Sequence, residues 1–362
     1  MLDQTNRQSS ITRFDAGMLT AMHGLAAWRS ACFDPAAPDS VLHHQPARRL
    51  NTRPQGSEGD ASGLGHDPGG DPGDDRGDDR GADRGAHYEL AAVSSVSLAS
   101  ALLDPVSMAI LSPALGLFAR SVDTLPGPLQ GSLQHRDAIV TPVAGADIHD
   151  VRHFLYHGLP SAVMLRGLLG ANLQVAGPVL QPWQAELLAA LGLDQGYYSM
   201  TGPTKFTRII ATDMTQKAAP SRFARGVIDR LRFRFGQDHA RTRRLIVGTV
   251  PAEIADEARE FGFEAVDLAA LTMAEQARLL ASATAVIGPS GSALTLVGFC
   301  DPGTAILELQ TRDALENWTQ VLCALFGLDW YGLVTDAPDA ARPTGLDQVS
   351  LRACLRHITG PK

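Results

Sequence analysis

Residues 285–309 read AVIGPSGSALTLVGFCDPGTAILEL, and this stretch decides the fold. From Val286 to Leu309 the pattern predicts a buried strand, a glycine-rich turn, a helix and a second strand. A helix that begins at such a turn directs its unpaired N–H groups and the positive end of its dipole towards the space in front of it. The turn is therefore predicted to bind an anionic group such as a diphosphate.

The sequence before this stretch alternates strands with helices. Strands are predicted at Arg244–Gly248 and Glu264–Asp267, and helices at Pro251–Phe261 and Thr272–Ala281. The second of these helices begins with TMAE, which is a capping box. Repeated β-α units predict a parallel sheet with helices on both faces. We expect the ligand site beyond the carboxyl ends of these strands, because parallel sheets bind ligands there.

The residues at these strand ends carry the predicted chemistry. The glycines lack a Cβ, so the backbone can approach a ligand closely, and the serines add hydroxyl donors. Glu308 ends the second strand, where a carboxylate can accept hydrogen bonds from ribose hydroxyls. We assign nucleotide binding to Gly288, Ser290, Gly291, Ser292, Glu308 and Thr249.

Composition indicates a soluble α/β protein long enough for two domains, since its 362 residues are 44% hydrophobic and only 6% aromatic. The formal net charge is −8, and the tract from Gly56 to Ala86 contains nine acidic residues and three arginines. This tract is rich in glycine and poor in apolar residues, so it is predicted to be a disordered linker. The remainder is close to neutral, which argues against a nucleic-acid partner.

No targeting or membrane-spanning segment is predicted. The N-terminus lacks a charged region followed by an apolar run. The most apolar stretch, Leu90–Phe118, is interrupted by Asp104, Pro105 and Pro113. The four cysteines form no CxxC pair, and the folded part lacks a compelling Asp-x-Asp motif for a donor-bound metal. We therefore predict a cytoplasmic protein with no cofactor and no metal site.

The stretch from Gly262 to Leu309 resembles the family 61 glycosyltransferases, which are often described as capsular polysaccharide biosynthesis proteins. Two upstream segments, His153–Leu165 and Gly177–Leu193, are also similar to that family, so the resemblance spans roughly Ala138 to Leu333. It rests most strongly on Gly262-Phe263, Leu271, Glu275-Gln276, Ala283, Ile287-Gly288-Pro289, Gly291, Leu294, Phe299, Pro302-Gly303 and Ile306-Leu307-Glu308.

The resemblance implies a GT-B fold, in which two Rossmann-like domains with parallel sheets face a cleft. It implies a metal-independent, inverting transfer from a nucleotide-sugar donor to a saccharide or lipid-linked acceptor in surface polysaccharide synthesis. The donor would bind the C-terminal domain and the acceptor mainly the N-terminal one. His153 matches a family-like histidine and is our candidate for the base that deprotonates the acceptor hydroxyl.

The resulting division of the chain has five parts. They are an N-terminal extension of uncertain order (1–54), a disordered Gly/Asp/Arg-rich linker (55–87), an acceptor-side domain (88–215), a nucleotide-sugar domain (216–340) and a C-terminal tail or helix (341–362). The arginine-rich helix Ser221–Phe235 has an apolar stripe, and a solvated basic face is one interpretation. The other is peripheral contact with anionic lipid at the inner face of the cell membrane.

Two departures from the family pattern leave alternatives open. Ser290-Gly291 replaces a His-Gly pair, and no arginine follows the strand Arg244–Gly248. Lys205 or Arg208 from the facing domain is predicted to supply the missing phosphate cation. A catalytically degenerate GT-B scaffold is one alternative function. An α/β-hydrolase is another, because GPSGS nearly fits a nucleophile elbow. Its triad would combine Ser290, Asp329 or Asp336, and His357.

Overall fold

Five strands in the second half of the chain form an all-parallel sheet in the order β14-β13-β15-β16-β17. Their bounds are β13 Arg243–Val247, β14 Glu264–Val266, β15 Ala283–Pro289, β16 Ala305–Thr311 and β17 Asp329–Thr335. The central strands are buried and nearly continuous in apolar residues, as expected for a sheet covered on both faces. The parallel sheet predicted from the sequence is therefore confirmed.

The computed structural model describes residues 20–21, 32–33, 36, 40–45, 48–51, 87–90, 93–112, 116–118, 132–145, 147–216, 219–236, 240–311, 316–335 and 348–360. The predicted linker lies almost wholly outside these residues.

Successive side chains of a strand point to opposite faces of the parallel sheet, so both faces are apolar and both are covered by helices. Ile246 and Ile287 pack with two helices on one face, while Leu245 and Val286 pack on the other. The first face carries α5 (Ala252–Glu260) and α8 (Gln348–Thr359). The second carries α6 (Met273–Ala281), α7 (Trp318–Phe326) and a 3₁₀-helix at Ser292–Phe299. The helix predicted after the glycine-rich turn is thus present, but it is 3₁₀ in type.

Ten strands of the first half form a second, mixed sheet. Four of them are parallel, in the order β11-β10-β9-β12, and the others extend the sheet in antiparallel pairs, apart from a parallel β1–β2 pair at one edge. The expectation of a second purely parallel sheet therefore holds only for these four strands. Their bounds are β9 Gln134–Pro142, β10 Gln174–Gly177, β11 Tyr197–Ser199 and β12 Thr204–Thr212.

The remaining strands belong to the same sheet or to a separate hairpin-like pair. In the sheet they are β1 Thr20–Ala21, β2 Ser40–Gln45, β5 Val93–Ala99, β6 Leu102–Leu103, β7 Ile110–Ser112 and β8 Gly116–Phe118. The pair consists of β3 Arg48–Asn51 and β4 His87–Leu90.

A helical segment between β9 and β10 packs against elements of the second half, and its middle is fully buried. It consists of α1 (Val151–His153), a π-helical turn (Phe154–Gly158) and α2 (Leu159–Leu169). All five residues of the π-helical turn are buried, as expected for a helix in the middle of a core. Gly158 is required there, because a Cβ would lie 2.6 Å from the Val143 carbonyl oxygen.

One hydrophobic core runs through both halves of the molecule. Helix α4 (Arg222–Phe235) contacts α2, α3 (Pro182–Leu191), α6 and the 3₁₀-helix, so it packs against elements from both halves. Helix α3 ends at Gly192 with φ 70°, a left-handed conformation that suits glycine at a helix end. Within the described part of the chain, no helix is both long and apolar enough to cross a membrane.

A carboxylate from α3 caps a helix of the opposite half. The Glu186 oxygens accept hydrogen bonds from the N–H groups of Met273 (3.0 Å) and Ala274 (2.9 Å) at the start of α6. The predicted capping box between Thr272 and Glu275 satisfies the next donor. The N-terminus of α6 is therefore hydrogen-bonded both to Glu186 of the other half and to its own capping residue.

We expect Glu186→Ala to destabilise the protein by about 1–2 kcal/mol, because two helix N–H groups lose their acceptors and the helix dipole loses a nearby anion. Chemical denaturation measures the change in the free energy of unfolding. The matched control is Glu253→Ala, which removes an exposed carboxylate from the first turn of α5. The control should change stability by about 0.5 kcal/mol or less. Equal effects of the two substitutions would contradict the bridging role of Glu186.

Candidate functional site

The glycine-rich turn lies at the carboxyl end of β15. The Ser290 N–H donates to the Leu309 carbonyl (2.9 Å), which joins the turn to the end of β16. Gly291 follows with φ 101° and ψ −139°, a conformation that is essentially restricted to glycine. It opens the 3₁₀-helix Ser292–Phe299, whose first N–H groups have no partner within the helix. The turn therefore presents backbone donors, together with a serine hydroxyl, at the sheet edge.

Two further glycines allow the turns after β13 and β15 to pack together. A Cβ on Gly288 would lie 2.8 Å from Val247 Cγ2, and a Cβ on Gly248 would lie 2.6 Å from Ala293 Cβ. Gly288 is buried, so its small size serves this packing and not the approach of a ligand. Because the turns touch, Thr249 lines the same cleft as the start of the 3₁₀-helix.

A large cleft of about 1370 Å³ lies between this edge and the first half of the chain. From the second half it is lined by Gly248, Thr249, Asp267, Gln276, Pro289, Ser290, Gly291 and Ser292, and from the first half by His149, Asp150, Arg152 and Trp183. The structure thus brings together Thr249, Ser290, Gly291 and Ser292 of the predicted donor site. Among the described residues, no group of His, Cys, Asp and Glu is arranged to hold a metal ion.

The charged residues of the large cleft are partly committed to backbone capping. Asp150 accepts from the His153 N–H (3.1 Å) and begins α1, while Asp267 accepts from the Ala269 N–H (3.0 Å). Arg152 is the one arginine or lysine that lines this cleft in the described residues. Sequence reasoning missed Arg152, although it directly precedes His153 and the family-like segment.

A side cavity of about 930 Å³ adjoins the large cleft and shares Arg152 and Glu316 with it. These two side chains form an ion pair at 3.6 Å, and the Arg152 guanidinium lies 5.2 Å from the centre of the Trp318 ring. The pair therefore lies where the two spaces meet. The side cavity is lined by Arg152, His153, Gln310, Glu316, Asn317, Trp318, Gln320, Trp330 and Val334.

His153 opens into the side cavity and not into the large cleft. Its Nε2 faces Asp147 Oδ2 at 3.9 Å, and its ring stacks on that of His157 at 5.4 Å between centres. His157 is buried and its Nδ1–H donates to the Met214 carbonyl (3.0 Å). Burial, assisted by the neighbouring His153, lowers the pKa of His157 to about 3. His157 is therefore neutral near pH 7 and closed off from the cavity, whereas His153 is partly exposed in it.

Glu308 does not line the large cleft. Its carboxylate is fully buried and accepts hydrogen bonds from Thr319 Oγ1 (2.7 Å), Trp330 Nε1 (2.8 Å) and Gln310 Nε2 (3.0 Å). Three protein donors therefore occupy the oxygens that the sequence prediction assigned to ribose. This network instead fixes Trp330 and Gln310, which line the side cavity.

Neither of the predicted phosphate cations lines the large cleft. Arg208 is only 1% exposed within the mixed sheet and donates to Ser97 Oγ (3.0 Å). Lys205 lies on the same strand and pairs with Leu102. Both residues belong to β12, which forms the middle of the mixed sheet. The sequence analysis predicted that Lys205 or Arg208 would bring positive charge to the cleft, whereas the structure has Arg152 there.

The hydrolase triad is not assembled. Asp329 begins β17 at the amino end of the parallel strands, whereas Ser290 follows β15 at their carboxyl end. His357 lies on α8 and packs against Tyr331 at 5.5 Å between ring centres, outside the cleft. The prediction for Asp329 is therefore wrong, and Asp336 lies outside the described residues.

Comparison with known families supports the resemblance. Residues 152–307 match the family model described as Glycosyltransferase 61. The matched segment covers somewhat less than half of the chain, and it includes the glycine-rich turn, Thr249 and both Arg152 and His153. It indicates a glycosyltransferase. No curated protein matches the chain.

Proposed function

We propose that this protein transfers a sugar from a nucleotide-sugar donor to a saccharide or lipid-linked acceptor in surface polysaccharide synthesis. The observation that carries the proposal is the large cleft, which the turn at Gly291 lines from one half and Arg152 from the other. The family match supports transferase chemistry over the same residues. Two α/β halves that face a cleft, one with a fully parallel sheet, support a GT-B arrangement. We place the reaction in the cytoplasm.

The donor diphosphate would bind at the start of the 3₁₀-helix. The first N–H groups of this helix and the hydroxyls of Ser290, Ser292 and Thr249 would supply hydrogen bonds, and Arg152 would supply positive charge. This arrangement supports transfer without a metal ion, because protein groups offset the charge of the leaving diphosphate. We assign to Asp267 the ribose contact that the sequence analysis gave to Glu308. Asp267 is exposed in the cleft. Its Oδ1 caps the backbone at Ala269, and its other carboxylate oxygen would accept from the ribose hydroxyls.

Transfer would use His153 as the general base. The imidazole takes the proton of the acceptor hydroxyl while the hydroxyl oxygen forms a bond to the anomeric carbon. The bond from that carbon to the diphosphate breaks, and its electron pair leaves with the phosphate oxygen. Attack from the face opposite the leaving group inverts the anomeric configuration.

A catalytically degenerate scaffold is the second candidate. Ser290 stands where the family pattern carries histidine, and serine cannot supply positive charge there. A scaffold would bind nucleotide without turnover, so product formation separates the two candidates.

We expect UDP, GDP or CMP, alone or as its sugar conjugate, to raise the melting temperature, because binding to the native state stabilises it. Gly291→Ala should greatly reduce this rise, since alanine is strained at φ 101° and the turn must rearrange. The control is Gly226→Ala on the exposed side of α4, where a Cβ meets nothing within 4 Å. The control should keep the full rise. No rise with any nucleotide in the wild type would overturn both the transferase and the nucleotide-binding scaffold.

We expect His153→Ala to lower the rate of transfer by about 10²–10⁴-fold, the usual contribution of a general base. The nucleotide-dependent rise in melting temperature should stay the same, because His153 does not line the large cleft. His135→Ala is the control, as His135 is exposed on β9, lines neither the large cleft nor the side cavity, and should retain transfer. Unimpaired transfer by His153→Ala would remove this residue from the mechanism.

The exposed face of α4 supports peripheral contact with an anionic membrane. Arg230 and Arg234 are exposed one helical turn apart, and Phe233 beside them is 76% exposed. Arg232, in contrast, is buried and pairs with Asp301. Exposed arginines around an exposed aromatic ring suit a bilayer surface, where lipid phosphates and acyl chains lie together.

The double variant Arg230→Glu, Arg234→Glu should sediment less with vesicles containing phosphatidylserine than the wild type does. The matched control, Arg259→Glu with Arg356→Glu, makes the same charge change on α5 and α8 and should sediment like the wild type. Sedimentation that is insensitive to anionic lipid and to salt in the wild type would overturn the membrane contact.

A further inference from the structure

The side cavity has walls from both halves of the chain, but most of them come from the second. Arg152 and His153 contribute one wall from α1, while Trp318 lies on α7 and Trp330 on β17. Its junction with the large cleft is the ion pair between Arg152 and Glu316. A molecule in the side cavity therefore reaches both His153 and the edge of the large cleft.

Trp330 is held in a fixed orientation at this cavity. Its Nε1–H donates to the buried carboxylate of Glu308, and its six-membered ring lies against Gly332. A Cβ on Gly332 would lie 2.5 Å from that ring, so glycine is required for this contact. The indole is thus a rigid apolar surface with its polar atom already satisfied, and this suits it to stack on an apolar ligand face.

The polar residues of the cavity suit hydroxyl groups. Asn317 is exposed and its side chain makes no capping bond to α7, so its amide is available as both donor and acceptor. Glu316 is 55% exposed and already pairs with Arg152. Arg152 is the one arginine or lysine of the side cavity in the described residues, and its charge would be engaged by the donor diphosphate, so an anionic acceptor would find no cation of its own. The cavity's combination of a flat aromatic ring with amides fits an uncharged sugar ring.

We propose that the side cavity binds the acceptor as an uncharged saccharide end. The inference rests on the proposed transferase function and adds the acceptor class and its place. The resemblance led us to expect the acceptor mainly against the first half, whereas this cavity is built mostly from α7, β16 and β17. The acceptor hydroxyl would lie against His153. The donor sugar would reach it from the large cleft, at the Arg152–Glu316 pair where the two spaces meet.

The test fills the cavity without disturbing the core. Val334 lines the cavity and is 46% exposed, so Val334→Trp places a large ring in the space where the sugar would bind. The control is Val349→Trp, an equal change at a 75% exposed residue on α8. Three quantities are measured for each variant: binding to an array of immobilised saccharides, the rise in melting temperature with UDP, GDP or CMP, and the melting temperature without ligand.

Val334→Trp should lower saccharide binding by about tenfold or more, while the nucleotide-dependent rise and the unliganded melting temperature stay at wild-type values. Val349→Trp should match the wild type in all three measurements. Unchanged saccharide binding by Val334→Trp would overturn the proposal. Loss of the nucleotide-dependent rise in Val334→Trp would also overturn it, since the cavity would then belong to the donor site. A wild-type protein that binds no saccharide on the array would overturn it as well.

Failure of the transferase proposal gives a different result. A wild type that binds saccharides at the side cavity but no nucleotide would contradict the donor site and leave the saccharide site in place. Nucleotide binding without saccharide binding would contradict only the acceptor assignment. A second variant, Asn317→Ala, should weaken saccharide binding severalfold with normal folding, because this exposed side chain makes no capping bond to α7.

Discussion

The hydrogen bond from the Tyr156 hydroxyl to the Thr295 carbonyl sets the position of the whole site. It is 2.6 Å long and buried, and it joins the π-helical turn of the first half to the 3₁₀-helix of the second. Gly298 makes the approach possible, because a Cβ there would lie 2.7 Å from the hydroxyl oxygen. Burial raises the pKa of Tyr156 far above its usual value, so this donor stays protonated. Arg152, one turn earlier, is thereby held at the large cleft that Gly291 also lines.

Several carboxylates of this protein hold its parts in place. Glu186 caps a helix of the opposite half, and Asp150 and Asp267 cap the backbone beside the large cleft. Glu308 is the most complete case, because three donors surround it and none of its surface is exposed. A buried carboxylate with all of its partners supplied by the protein orients its neighbours. Here it orients Trp330, which gives the side cavity its rigid wall.

The sequence predicted the elements of the second half well and the roles of its side chains less well. The capping box at Thr272 is a local signal, so it placed the start of its helix correctly. Glu308 was assigned to ribose because it ends a strand beside the glycine-rich turn, and Arg208 to phosphate because the arginine of the family pattern is missing. A strand pattern does not distinguish a carboxylate that faces a ligand from one that faces three donors. That distinction depends on residues distant in the sequence.

The sequence by itself determined the strand–turn–helix–strand unit from Val286 to Leu309, because apolar periodicity, turn glycines and caps act between residues close along the chain. It also carried the resemblance that the family match supports. Only the tertiary structure brought Arg152 to the large cleft and His153 to the side cavity. Their positions follow from a helix packed between two sheets. Such packing is fixed by contacts across more than a hundred residues of chain, as between Tyr156 and Thr295.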